Sequence, residues 1–248
     1  MKHLALIWLL LGVACHANAQ VNIELYRGKP GVTGNIGLQV GGARGNSDFF
    51  TGGGAANVTF NTRKYSLLLV GNGLLGFSGG KRFSNQGLAH IRFTWTKPSR
   101  FQPEGFLQLN YVRPRKLTFR ALAGAGLRTV VHDSTSWSFS LGNSLMWERE
   151  HLDLLPADRH PDRTSVIRSS NYVNLQLRNK ALITLTGYYQ FMVEDPGDSR
   201  ILGNLQITTE VVGPLQQTTT LRYRRDSKPP EGVKKNDLRL GTSFDLKF

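Results

Sequence analysis

The sequence alternates apolar and polar residues with a period of two, in segments of about ten residues that recur along most of its length. Successive side chains of a β-strand point to opposite faces of the sheet, so this period predicts strands with one apolar and one polar face. A helix would need a period near 3.6, which these segments lack. In residues 87–97, for example, the apolar positions are Ala89, Ile91, Phe93 and Trp95.

The number and length of these segments indicate a membrane barrel. About twelve of them follow residue 31, each near the roughly 9 to 11 residues that cross a bilayer at a tilt. Beyond the N-terminal apolar run, no stretch approaches the roughly 18 consecutive apolar residues of a transmembrane helix. Strands can cross hydrocarbon only when every backbone group is paired. We therefore predict an all-β fold, a transmembrane antiparallel β-barrel of about twelve strands.

The connections between segments alternate in length, which predicts the orientation of the barrel. Links near 61–64 and 97–100 are tight, whereas those at 151–164 and 226–236 are longer and rich in Pro or charge. The turn at 45–47 is a short exception. Alternate connections of a barrel lie on opposite sides of the membrane. The long loops are therefore expected outside the cell, with both termini in the periplasm.

The N-terminus has the pattern of an export signal. Basic Lys2 precedes an apolar run at 4–13, and Ala17-Asn18-Ala19 forms a small-x-small cleavage site. The predicted organisation is a signal peptide at 1–19, a short periplasmic segment at 20–31 and an outer-membrane barrel at 32–248. Cleavage after Ala19 would remove Cys15, the sole cysteine, and so exclude disulfides and thiolate chemistry from the mature chain. A lipoprotein reading through Cys15 is disfavoured because Gly12 stands where a branched aliphatic is preferred.

The C-terminal segment alternates in the same way and ends on an aromatic residue. Its apolar positions are Phe244, Leu246 and Phe248. This pattern is typical of the terminal strand by which the barrel-assembly machinery recognises outer-membrane proteins. We expect that machinery as a partner during biogenesis, and outer-membrane lipid and lipopolysaccharide as partners of the folded protein.

The chain is strongly basic, with a formal net charge of +14 and a pI near 10.3. Export and the scattering of basic residues through the strands argue against nucleic acid as a partner. In a barrel the polar face turns inward. The positions predicted to line the lumen are His90, Arg92, Glu104, Lys116, Arg120, Arg128, Glu148, Glu150, Arg168, Arg200, Glu210, Arg222, Arg224, Asp237 and Arg239. Cations outnumber anions in this set.

Several motifs occur together along the mature chain: Val21-Asn22-Ile23-Glu24, Arg44-Gly45-Asn46-Ser47-Asp48, Gly87-Leu88-Ala89-His90-Ile91-Arg92-Phe93, Arg168-Ser169-Ser170-Asn171-Tyr172, Tyr188-Tyr189-Gln190 and Asp198-Ser199-Arg200. In these motifs the sequence resembles the YdiY-like family of salt-induced outer-membrane proteins. Phe191 departs from that pattern, which has Pro there. The resemblance implies an outer-membrane β-barrel and no particular activity, because the family is defined without one.

The residues give little support for catalysis or metal binding. A lipid hydrolase would need a nucleophile and a base in mutual reach, and no His has a Ser partner at adjacent strand spacing. One long loop holds His151, Asp153, Asp158, His160 and Asp162, but their spacing matches no metal-ligand pattern, which favours a solvated loop. We predict a protein without enzymatic activity, cofactor or metal. Glu148 and Glu150 are predicted to pair with inward arginines.

Three functions stay open at this point. The first, favoured by the cationic excess, is a passive channel whose arginine-rich lumen admits small anionic solutes. The second is a closed barrel in which the same arginines and carboxylates cross-link the interior, with a structural or stress-related role in the envelope. The third, of low weight, is an outer-membrane lipid-modifying enzyme.

Overall fold

The computed structural model of the chain describes residues 30–45, 48–96, 99–213 and 215–246. These residues form twelve strands, with one short 3-10 turn at Arg113–Arg115. The strands are β1 (Gly31–Ala43), β2 (Phe49–Asn61), β3 (Tyr65–Ser78), β4 (Lys81–Trp95), β5 (Phe101–Val112), β6 (Leu117–Asp133), β7 (Trp137–Leu152), β8 (Arg163–Arg178), β9 (Ala181–Met192), β10 (Ser199–Val212), β11 (Leu215–Asp226) and β12 (Asn236–Leu246).

The strands form a single antiparallel sheet in chain order, which confirms the predicted all-β fold of about twelve strands. No helix in the described part of the chain is long and apolar enough to span a bilayer. The predicted signal peptide, nearly all of the predicted periplasmic segment and Phe248 lie outside the described residues. Gly31 begins β1, next to the predicted start of the barrel at residue 32.

The sheet is strongly curled, as a half-barrel. Leu68 of β3 and Leu88 of β4 belong to the same buried cluster as Tyr172 of β8 and Tyr188 of β9, so strands far apart in the sheet meet across its concave side. Within the described residues, β1 pairs with β2 alone and β12 with β11 alone. These two strands are therefore the edges of the sheet.

The two faces of the sheet differ as the alternation requires. In β4, every second residue from Ser84 to Thr94 is buried, whereas the apolar Ile91 and Phe93 between them are about 40% exposed. The concave face buries many more polar and charged side chains than apolar ones. The apolar surface lies instead on the convex face. This is the reverse of a soluble sandwich, whose inner face is apolar.

Candidate functional site in the sheet interior

The concave face holds most of the charged residues singled out in the sequence. Eight of them are less than 10% exposed: His90, Arg92, Glu104, Arg128, Glu148, Glu150, Arg168 and Arg200. They project from β4 to β8 and from β10, all at the inward positions of their strands. Burying this many ionic groups is unfavourable unless each is paired and hydrogen-bonded, so their partners decide what the interior can do.

Glu148 lies at the centre of the interior and is 1% exposed. Its two carboxylate oxygens each accept a hydrogen bond of 2.6 Å, one from Nε of Arg168 and the other from Nη1 of Arg200. Nε of Arg120 lies 3.7 Å from Oε2 of the same carboxylate. One buried carboxylate thus joins side chains of β6, β7, β8 and β10.

A second carboxylate extends this network. Glu150 accepts hydrogen bonds of 3.1 and 3.2 Å from Nη2 of Arg200 and also pairs with Arg120. Asp226, at the end of β11, accepts from Nε of Arg200 at 3.3 Å and from Nη2 of Arg224 at 2.6 Å. We call these seven residues the central ion network: Arg120, Glu148, Glu150, Arg168, Arg200, Arg224 and Asp226. Its charges nearly balance, with four arginines against three carboxylates.

A second ionic layer lies closer to the short-turn end of the sheet. Arg92 of β4 donates to Glu104 of β5 at 2.8 Å, and its guanidinium lies 4.5 Å from the centre of the Phe106 ring. Across the interior, the hydroxyl of Tyr172 on β8 donates to the other oxygen of Glu104 at 3.4 Å. This layer therefore bridges strands that are not neighbours.

Little space remains between these layers. A cavity of about 60 Å³ is lined by His90, Arg92 and Leu122 on one side and by Tyr188, Arg200 and Leu202 on the other. This volume is far below the roughly 300 Å³ at which small-molecule sites begin. Paired side chains therefore leave little space between the two ionic layers.

Other residues from the predicted lumen set lie at the ends of the sheet. Lys116 lies in the β5–β6 turn with a φ of 59°, not on a strand face, and its Nζ lies 3.4 Å from Asp158 of the β7–β8 loop. Glu210 is exposed near the end of β10, next to a register shift.

Asp237 accepts from Arg115 at 2.5 Å and from Arg239 at 3.2 Å. Arg222 is half-buried beside Arg239 in the β11–β12 register.

The C-terminal segment forms strand β12, which pairs with β11. Phe244 lies opposite Gln217, and Leu246 opposite Leu215, in the β11–β12 register. Phe248, the third residue of the predicted assembly signal, lies outside the described residues.

Four residues that complete the ionic layers are not among the predicted lumen positions. Arg115, Asp198 and Tyr172 make long-range contacts that no local pattern reveals: Asp198, for instance, binds both terminal nitrogens of Arg168 at 3.0 Å. Asp226 could have been found, because it continues the alternate positions of Arg222 and Arg224 on β11.

Two histidine rings of the described chain make hydrogen bonds. The ring of His90 contacts Gln108 at 3.1 Å and Arg92 at 3.5 Å, and that of His160 contacts the carbonyl of Pro161. None of these hydrogen bonds joins a His to a Ser, as a serine hydrolase would require. No group of three His, Cys, Asp or Glu side chains among the described residues could hold a metal ion.

The β7–β8 loop is held by Asp158. Its carboxylate accepts from the backbone N–H of His160 at 3.1 Å, from Nζ of Lys116 at 3.4 Å and from the backbone N–H of Glu231 at 3.2 Å. These bonds lower the pKa of Asp158 below its ordinary 3.8, with the His160 N–H as the largest cause. The residue thus connects the β5–β6 turn, its own loop and the β11–β12 loop.

Sequence comparison assigns the chain to a family. Residues 35–248 match the sequence profile of a family described as "Protein of unknown function, DUF481". The chain belongs to the DUF481 family. No curated protein matches the sequence of this DUF481 member.

Two solved structures resemble the DUF481 fold. One is the NanC porin, at 8% identity and a TM-score of 0.47, covering 86% of this chain and 99% of the porin. The other is the β domain of the Bordetella autotransporter BrkA, at 8% identity and a TM-score of 0.36, covering 88% of this chain and 97% of that domain. At these values neither likeness indicates what the DUF481 chain does.

Proposed function

We propose that this DUF481 protein is an outer-membrane β-barrel whose interior is closed by ion pairs, and that it has a structural role in the integrity of the envelope. The observation that carries this proposal is the central ion network, which joins five strands through Glu148, Glu150 and Asp226. An open anion channel needs cationic groups that face water, whereas these arginines are neutralised by buried carboxylates.

The convex face supports the membrane location. Its side chains are apolar and exposed over the middle of the sheet, as with Leu107 and Leu145 at 58% and 60% exposure. A soluble protein rarely leaves so much contiguous apolar surface in water, whereas hydrocarbon would cover it. The edge strands β1 and β12 carry exposed apolar residues in the same way, including Ile36 at 80% and Leu240 at 71%. Pairing of β1 with β12 would close the barrel and satisfy the backbone N–H and C=O groups at these edges, as a bilayer requires.

The anion channel predicted from the sequence is the second candidate function. The observation in its favour is a polar recess at the short-turn end that is lined by Arg63, Arg100 and Arg128. A cationic mouth would favour anions, but conduction would need a continuous path past the ionic layers. The resemblance of the sequence motifs to YdiY-like proteins would suit either candidate, since it specifies no activity.

Two measurements test the proposal. Fractionation of cells that express the full chain should recover it in the outer membrane, in a form that migrates faster on gels until it is boiled. Liposomes that contain the folded protein should not swell in iso-osmotic solutions of small sugars or of small organic anions. Swelling with anions alone would support the channel instead, and recovery outside the outer membrane would refute the location.

A further inference from the structure

A groove crosses the convex face of the sheet from β2 to β7. Its volume is about 630 Å³, within the range of small-molecule binding sites. Outward-facing apolar residues of all six strands line it, and one from each strand, in chain order, are Val58, Leu69, Ile91, Leu107, Ala121 and Trp147. We call it the outer groove. It lies on the opposite face of the sheet from the central ion network.

The outer groove follows one row of paired residues across the sheet. The members of this row on β2 to β6, all of which line the groove, are Ala56, Gly71, Ala89, Leu109 and Ala121. Four of these five residues have small side chains or none, so the surface is indented along the row. On β7 the row continues to Arg149, which pairs with Ala121. The groove therefore leads to a charged residue at one end.

The row is oblique to the ends of the strands. Ala56 precedes Asn61, the last residue of β2, by five positions, whereas Arg149 follows Trp137, the first residue of β7, by twelve. Asn61 and Trp137 both lie at the short-turn end of the sheet, so the row rises towards the long loops as it crosses to β7. Five strand spacings of about 4.8 Å make it about 24 Å long. With a strand tilt of about 40°, it spans a depth of about 15 Å, half of the roughly 30 Å hydrocarbon core.

Arg149 lies at the depth of lipid headgroups. Trp137 and Trp147 face outward on β7, ten residues apart, which is about 33 Å along the strand. The same tilt reduces this distance to about 25 Å, the height of the apolar band of an outer-membrane barrel, whose edges carry aromatic residues. Arg149 is two residues beyond Trp147 and so lies about 5 Å outside the band. The indole N–H of Trp147 donates to Oγ of Ser165 at 2.9 Å, which holds the ring at the end of the groove.

A second arginine lies beside Arg149. Arg163 of β8 pairs with His151, and Arg149 pairs with Ser165, so the two arginines are diagonal neighbours on the outward face. Diagonal positions are about 7–8 Å apart, within reach of long side chains. Both arginines are exposed. Within the described residues, no ion pair or side-chain hydrogen bond involves either of them, although Asp162 precedes Arg163 in the chain. The two like charges repel each other unless an anion lies between them.

We infer that the outer groove and these two arginines bind one molecule of lipid A, the phosphorylated glycolipid that anchors lipopolysaccharide in the outer leaflet. A phosphate monoester, with a charge of about −1.5 to −2 near pH 7, matches the two positive charges, and guanidinium forks bind its oxygens in a bidentate manner. One acyl chain lies along the groove, from the headgroups to the middle of the bilayer. The phosphodiester of a phospholipid carries one charge and leaves one arginine unmatched. The inference rests on the proposed outer-membrane location, with the long loops outside.

The test is native mass spectrometry of the folded protein in detergent, titrated with bisphosphorylated, hexa-acylated lipid A. We expect one lipid A molecule to be retained at concentrations where dimyristoylphosphatidylglycerol is not. Arg149→Gln and Arg163→Gln should each weaken this retention about tenfold, because each removes charge-assisted hydrogen bonds to phosphate.

Arg225→Gln is the matched control for charge. Arg225 is also exposed and also follows an outward-facing aromatic residue, Tyr223, by two positions, but it lies outside the groove and has no arginine at a diagonal position. Its substitution should leave the affinity within about twofold of wild type. Equal weakening by Arg225→Gln and Arg149→Gln would overturn the inference, since that result would reflect the general charge of the surface.

The groove is tested separately from the charges. Ala121→Leu fills it with an apolar side chain that hydrocarbon tolerates, and it should weaken retention about tenfold because the acyl chain loses contact with the sheet. Ala125→Leu is the control, since Ala125 faces outward on the same strand and lies outside the groove. It should leave retention within about twofold of wild type. Equal retention of lipid A by the two variants would overturn the placement of the acyl chain.

The heat-dependent gel shift of each variant reports the folded barrel independently of lipid retention. A gel-shifted wild-type protein that retains no lipid A, or that retains phosphatidylglycerol equally, would overturn the inference and leave the structural barrel standing. Recovery of the protein outside the outer membrane would instead refute the proposed function on which the site rests.

Discussion

Glu148→Gln tests the structural role of the central ion network. The carboxylate is 1% exposed and accepts hydrogen bonds of 2.6 Å from both Arg168 and Arg200. Glutamine keeps one acceptor oxygen, so one bond and the negative charge are lost. A hydrogen bond to a charged group contributes about 1.5–3 kcal/mol, and removing one partner of a buried ion pair costs about 3–5 kcal/mol. We therefore expect the free energy of unfolding to fall by about 3–5 kcal/mol.

The assay is urea unfolding of the protein in lipid vesicles, followed by tryptophan fluorescence. The temperature at which the unboiled gel band disappears gives a second reading for a variant that refolds poorly. Glu210→Gln is the matched control, because Glu210 is exposed near the end of β10. It should change the free energy of unfolding by no more than about 0.5 kcal/mol. A Glu148→Gln variant within about 1 kcal/mol of wild type would refute the reasoning.

Three further predictions concern other parts of the molecule. Ala123→Arg places a charge on the apolar convex face, which should destabilise the folded protein by roughly 2–4 kcal/mol near the bilayer midplane. The yield of the gel-shifted form should therefore fall, and an unchanged yield would contradict the membrane orientation. Gly142→Ala would put a methyl group 1.9 Å from the ring of Tyr172; the displaced ring should lower the free energy of unfolding by about 1–3 kcal/mol, and urea titration tests this. Asp158→Asn should make the β7–β8 loop sensitive to proteases at pH 7. Because its pKa is lowered below 3.8 in the folded protein, the wild-type loop should be protected above that pH and lose protection as the pH falls through the folded pKa.

The alternation of residues predicts the strands and the face to which most side chains point. His90, Arg92, Glu148 and Arg168 lie on the buried face because the period of two is unbroken along their strands. The conformation of the short turns also depends on neighbouring residues: the hydroxyl of Thr62, for example, accepts a hydrogen bond from the N–H of Tyr65. These features depend on neighbours in sequence, and so a sequence pattern can reveal them.

Strict alternation fails at bulges and turns. It places Leu117 on the apolar outer face together with Phe119, but a register shift between these two residues leaves Leu117 3% exposed. Lys116 likewise falls in a left-handed turn conformation and not on a strand. One extra residue in a strand moves the side chains beyond it to the other face, and the local composition does not indicate where such a residue occurs.

The pairing of Glu148 and Glu150 with inward arginines is predicted and confirmed, but the individual partners of the charges could not be predicted. The predicted inward residues carry a cationic excess, because the alternation indicates which face each residue occupies and not which partner it meets. Arg200 and Glu150 are 50 residues apart, and Tyr172 and Glu104 are 68 apart, yet each pair is in hydrogen-bonding contact. The curl of the sheet creates these contacts. An interior that appeared suited to conduction is thereby mostly neutralised.

Single-channel recording in a planar lipid bilayer tests the central claim most directly. The folded wild-type protein should insert and pass no steady current at moderate voltage, because paired side chains fill the middle of the interior. A steady conductance with preference for anions would contradict the closed interior and would establish the anion channel as the function instead.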